Sequence, residues 1–185
     1  MVRGAPLAGS VSAGFRKISL GKVVLGVTLL VVIFRMVRPE SGPSVGSQAR
    51  TFDLPWVSGA EGRLESRDLK GSVTVIEAFA GWCGTCKRNT PELNGVASAK
   101  RKQPVRVIGI SFDSSADEAR MTAGAWKLSF PVALADGKFR SEYQISILPT
   151  TVVVDASGVI RQSTSGAVDV STLENWLRDL GAARY

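Results

Sequence analysis

Val73-Thr74-Val75-Ile76-Glu77-Ala78-Phe79, followed at once by Ala80-Gly81-Trp82-Cys83-Gly84-Thr85-Cys86, is the stretch that decides the fold. Apart from Glu77 the first seven residues are β-branched or apolar, and they read as a buried strand. A Gly- and Cys-containing turn follows. From about Cys86 to Arg101 the pattern is helical, with Pro91 as a kink. At such a strand-to-helix turn, backbone N–H groups and the positive end of the helix dipole stabilise an anion. Cys83 is at the helix mouth, so its thiolate is favoured. Cys86 lies one turn inside, close enough to bridge to Cys83 and shielded from outside thiols. Gly84 gives the loop freedom and Thr85 is small. Metal clips and merely structural cystines share the spacing. The strand before, the helix after and the adjacent Trp82 favour a redox pair.

Cysteine usage agrees. The 185 residues include two cysteines and no histidine. Two cysteines make no disulfide framework, and without histidine they cannot complete a four-ligand zinc site. No metal ligand set is therefore expected, and no cofactor beyond a Cys83–Cys86 disulfide.

The net charge is +7, of which residues 1–43 carry +5 and residues 44–185 only +2. A nucleic-acid-binding domain would carry its basic stripe on the folded part, so nucleic acid is not an expected partner. A basic flank beside an apolar run suits a membrane surface. Val23 to Phe34 is uncharged and mostly apolar. Extended over residues 18–37 it gives about 30 Å of helix, enough to cross a bilayer core. Arg3, Arg16, Lys17 and Lys22 precede that core, and Arg35 and Arg38 follow it. The excess puts residues 1–17 in the cytoplasm and the C-terminal domain outside. A cleaved signal peptide is the alternative, although no small-x-small site directly follows Phe34. Residues 38–48 are rich in Gly, Pro and Ser and read as a flexible linker. The domain proper is then 49–185.

Within it, Val105 to Ile110 reads as the next strand, and Ser114 or Ser115 as the cap of a helix running to about Lys127. Pro131 to Leu134 reads as a short strand and Gly137 to Tyr143 as a short helix. Thr151 to Val154 and Val159 to Gln162 are strands joined by Asp155-Ala156-Ser157-Gly158. Asp169 or Ser171 opens a last amphipathic helix. Phe52 to Leu54 and Arg63 to Leu69 add a leading β-hairpin. The order is that of an α/β domain. Trp56, Trp126 and Trp176 read as packing, Asp113 as a turn or cap, with a place lining the site as the alternative, and Lys87, Arg88, Lys100, Arg101 and Lys102 as a solvated helix face.

With these residues in place, the sequence from about Ser44 to Leu180 resembles the thioredoxin superfamily, and within it the TlpA-like and ResA-like membrane-anchored thioredoxins. The likeness rests on Phe52-Asp53-Leu54, Asp68-Leu69-Lys70-Gly71, Phe79 to Cys86, Gly109-Ile110-Ser111-Phe112-Asp113, Leu148-Pro149-Thr150-Thr151 and Asp155-Ala156-Ser157-Gly158. It implies a thioredoxin fold, a central mixed sheet flanked by helices, with the N-terminal hairpin and a single transmembrane helix added. It also implies a cis Pro149 beside the cysteine pair, with the Leu148 backbone free to pair with an extended substrate strand. An ordinary strand-start proline is the other reading of Pro149.

Glu77 stands six residues before Cys83, where thioredoxin carries a buried acid. Pointing inward, it would hold its proton tightly and could exchange it with Cys86, through water. Pointing outward, it would be a bystander. Asn89 departs from ResA-like proteins, which carry an acid there. Thr85 replaces the proline of thioredoxin and the histidine of strong oxidants, which favours a reductant.

The expected activity is thiol–disulfide exchange outside the cytoplasmic membrane, on protein disulfides, recharged by a membrane thiol electron donor. The family likeness suggests cytochrome c maturation or copper-site assembly. Two other functions compete. A peroxidase of peroxiredoxin type would need threonine where Ala80 stands, and a Cu(I) chaperone of this fold would add a histidine.

Overall fold

Val73–Phe79 is an interior strand of the sheet, hydrogen-bonded along both edges, and the cystine follows it in the chain. The computed structural model describes residues 21, 24–29 and 42–185. In it, β1 is Asp53–Ser58, β2 Arg63–Glu65 and β3 Val73–Phe79. Helix α1 (Gly84–Ser98), β4 (Val105–Ser111), α2 (Ala116–Ala125) and β5 (Val132–Leu134) follow. The chain then forms α3 (Gly137–Glu142), β6 (Thr150–Val154), β7 (Ile160–Ser165) and α4 (Val170–Asp179). The sheet order is β2-β1-β5-β4-β3-β6-β7. β3 is parallel to β4 and antiparallel to β6, and β4 is parallel to β5, so the sheet is mixed. α1 and α2 are the crossovers that parallel pairing requires.

All seven residues of β3 are buried, because both faces of the sheet are covered. Val73 and Val75 pack with Leu93 and Val96 of α1 and Leu173 and Leu177 of α4. Ile76 and Ala78 face the opposite layer, with Phe52, Leu54, Phe139 and Tyr143. At the C-terminal end of β3, Phe79 joins Cys83, Cys86, Ala119, Ala123 and Val132 in a third cluster. That is the end of a parallel sheet where loops build sites.

Several boundaries differ from the sequence reading, each for a physical reason. α1 starts at Gly84 because Cys83 is its N-cap, with Sγ accepting from the Cys86 N–H at 3.2 Å. It ends at Ser98. Arg101, expected on a solvated face, has a side chain only 2% exposed, forked onto Glu174 of α4 at 2.7 Å. β1 continues through Pro55 to Ser58 because Trp56 and Ser58 pair with β5. Only Arg63–Glu65 of the second leading segment is strand, antiparallel to β1, since Ser66–Leu69 closes into a 3-10 turn held by Asp68 Oδ2 on the Glu65 N–H. β7 runs on to Ser165 through its pairing with Thr150.

Residues 18–37, expected as the anchor, lie outside the described residues except for 21 and 24–29, and so does the basic segment 1–17. Residues 24–29 are helical, with Val24, Leu25, Val27 and Leu29 exposed. Among the described residues no helix is long and apolar enough to cross a membrane. The domain's compact unit begins at Ser41. From Gly42 the stretch read as linker is laid along the domain: the Gly42 N–H reaches the Gln144 carbonyl, and the Gly46 N–H that of Ile160.

Candidate active site

The cysteines are joined, with Cα atoms 5.3 Å apart. Cys83 is 7% exposed and Cys86 2%, so the cysteine at the helix mouth is the more exposed of the two. Trp82 projects into solvent at 76% exposure. Thr85 is half-buried, its hydroxyl accepting from Arg88 Nη2 at 2.9 Å. The Leu148–Pro149 peptide is cis. Leu148 packs against the cluster that contains both cysteines, and the buried Pro149 offers its carbonyl to the Gly166 N–H at 2.8 Å.

Alternation along β3 puts Glu77 on the same face as Val75 and Phe79, under α1. It is 2% exposed. Thr151 of β6, directly opposite in the ladder, donates its hydroxyl to Oε2 at 2.6 Å. Asn89 of α1 donates Nδ2 to Oε1 at 3.3 Å. Burial is the dominant influence and pushes the carboxyl up to about 7 from its ordinary value of 4.5, against the pull of those two hydrogen bonds. A cavity of about 10 Å³ lies against Glu77, Cys86, Thr90 and Trp126. That is near the least volume one water needs. The inward reading of Glu77 thus describes its geometry.

Two contacts of the active-site loop were not specified by the sequence reading. Asp113, read as a turn or cap with a place lining the site as the alternative, is 6% exposed and accepts the Gly81 N–H at 2.7 Å, while Ser111 Oγ holds its other oxygen at 2.9 Å. It pins the loop that carries Trp82 and Cys83. Gly81 is also pressed against α2, where a Cβ would meet Thr122 Oγ1 at 2.4 Å. The strand register brings Asp113 and Gly81 together: Phe79 pairs with Ser111, so residues two further on in each segment meet. Asn89, read as a missing acid, is the amide on Glu77. Among the described residues no group of His, Cys, Asp and Glu is placed to hold a metal.

Residues 45–163 match the AhpC/TSA family. The chain belongs to that family. Thiol:disulfide interchange protein DsbE of Pseudomonas aeruginosa is 31% identical over 155 residues, covering 78% of this chain and 83% of that one. Thiol-disulfide oxidoreductase ResA of Oceanobacillus iheyensis is 23% identical over 161 residues, 85% of this chain and 84% of that one. A thiol-disulfide isomerase crystal structure from Corynebacterium glutamicum matches with a TM-score of 0.63 at 25% identity, over 74% of this chain and 96% of that one. With a cystine at the helix mouth, the chain is a thiol–disulfide oxidoreductase of thioredoxin-like fold.

Proposed function

We propose that the protein reduces disulfides in other proteins outside the cytoplasmic membrane, tethered by residues 18–37, with Cys83 as nucleophile and Cys86 as resolving thiol. The placement of Cys83 carries the reading: it caps α1 and is more exposed than Cys86. The Cys83 thiolate attacks one sulfur of a substrate disulfide. A Cys83–substrate bond forms, the substrate S–S bond breaks, and one substrate thiolate leaves. Cys86 passes its proton to the Glu77 carboxylate, by way of the small cavity between them, and attacks Cys83 Sγ. The Cys83–Cys86 bond forms and the second substrate thiolate is expelled. The substrate gains two electrons and the enzyme is left in the disulfide state described above.

The direction follows from the dipeptide. Gly84 and Thr85 add no cation between the cysteines, so the thiolate lacks the extra stabilisation that makes a strong oxidant. A membrane dithiol carrier returns the electrons. Leu148, against the cysteines, offers backbone to an extended substrate, and Trp82 offers it an apolar face. Apocytochrome c and copper-site proteins are the substrates suggested by the likeness to TlpA-like and ResA-like proteins.

The experiment is a trap. Cys86→Ser leaves attack intact and removes the intramolecular exit, so mixed disulfides joined through Cys83 should accumulate on a non-reducing gel, and Cys83→Ser should give few or none. Trapping by Cys83→Ser alone would reverse the two roles. Insulin reduction without peroxide consumption or Cu(I) binding would separate this function from the peroxidase and the chaperone.

A further inference from the structure

We propose that Asn89 is a positioning residue for Glu77, its amide orienting the buried carboxyl towards α1 and closing the port through which that carboxyl trades protons with solvent. The proposal rests on the reading of Glu77 as the proton partner of Cys86.

The carboxyl has two hydrogen-bond partners with different surroundings. Thr151, on Oε2, is fully buried. Asn89, on Oε1, is itself 5% exposed but lines an open groove of about 340 Å³ with Thr85, Arg88, Glu92, Val168 and Asp169. The sheet side is sealed: Gly109 is opposite Glu77 on β4, and the rings of Phe79 and Phe130 fill the space its side chain would take. On the remaining side is the small cavity shared with Cys86, walled by Trp126, Leu128 and Phe130. A proton taken from Cys86 therefore leaves Glu77 past Asn89. The amide does not carry the proton. It yields its place to a water from the groove, which does.

The groups facing the carboxyl are few. Cys86, titratable once reduced, is the one on α1, while Gly109, Thr151, Trp126, Leu128 and Phe130 supply the uncharged rest. Arg88 and Glu92 of α1 and Asp169 at the start of α4 face Asn89 from the groove.

The test reads Glu77 itself. In the full-length oxidised protein, the infrared carbonyl band lost in Glu77→Gln is followed against pH in the parent, in Asn89→Leu and in Asn89→Ala. Leucine removes the donor and keeps the port shut, so the midpoint should rise by roughly half a unit to one unit. Alanine opens the port to water, so its midpoint should fall below that of the leucine variant. If Asn89→Leu does not fold, Asn89→Val takes its place. An unshifted midpoint in the closed variant, or an alanine midpoint as high as the closed one, overturns the proposal. The band reports the carboxyl whether or not it serves Cys86. Failure of the relay reading would show elsewhere, as unchanged resolution of mixed disulfides in Glu77→Gln.

Discussion

Replacing Glu77 by Gln should make the oxidised protein more stable, and by an amount that depends on pH in one direction. Burial raises the folded-state pKa to about 7 from 4.5. The sign follows from proton counting. Below about 4.5 the carboxyl is protonated in both states and costs little. Between 4.5 and 7 the unfolded chain ionises while the folded one keeps its proton, so unfolding releases a proton and stability falls as pH rises. Above 7 the penalty is constant. At about 1.4 kcal/mol per unit, the window is worth ~3 kcal/mol. Glutamine keeps the shape and one acceptor oxygen but never ionises. The two proteins should therefore be within ~1 kcal/mol of each other at pH 4, and the variant ahead by ~3 kcal/mol at pH 8. Urea unfolding across that range measures this. The oxidised state keeps both thiols out of the titration, and every other group is common to both proteins and cancels in the difference. A difference that stays flat from pH 4 to 8, or shrinks with pH, would falsify the buried-acid assignment.

Three further outcomes are expected. Gly81→Ala puts a methyl 2.4 Å from Thr122 Oγ1, so it should slow insulin reduction and cost roughly 1–3 kcal/mol, with partial recovery when Thr122→Ala is added. No recovery in the double variant would mean that the loop tolerates the methyl and fails for another reason. Glu174→Gln unpairs the enclosed Arg101 guanidinium and should lower stability by roughly 3 kcal/mol in denaturant titration while leaving exchange kinetics in native buffer unchanged. A reporter active only in the cytoplasm, fused after Tyr185, should be silent, because positive charge concentrates before Val23; strong reporter activity would reverse the topology.

The parts of the fold that were legible in the sequence are those fixed by local chemistry. The β-branched run of β3, the cysteine spacing at a helix mouth, Ser115 and Asp169 as caps, and the turn at Asp155 to Gly158 each declare themselves within a few residues. What stayed hidden depends on pairing across long separations. In a strand buried on both faces, alternation carries no in-or-out signal, so the direction of Glu77 required the register with Gly109 and Thr151. The leading strand reads in sequence only as Phe52 to Leu54, yet β1 passes on through Pro55 to reach β5. Arg101 looked solvated because nothing near it in sequence announces Glu174, 73 residues away. The Gly-, Pro- and Ser-rich composition from Gly42 to Gln48 indicated freedom, whereas backbone hydrogen bonds to Gln144 and Ile160 hold part of it to the domain.

The same geometry separates two kinds of chemistry that meet at one disulfide. Outside it stands the exposed Trp82, which carries no ionisable group and can act on a substrate through shape and apolar contact. Behind it stands Glu77, closed off from solvent and hydrogen-bonded through neutral partners, which can act only on protons. Cys83 belongs to the first set by exposure and Cys86 to the second by its shared cavity. Changes on the outer face should therefore alter which disulfides are attacked while leaving the pH dependence of resolution in place. Changes around Glu77 should move that pH dependence while leaving substrate preference alone. A Trp82→Ala protein with a displaced pH profile for resolution would show that the two faces are coupled, and the pinning of the loop by Asp113 through the Gly81 N–H is where that coupling would have to run.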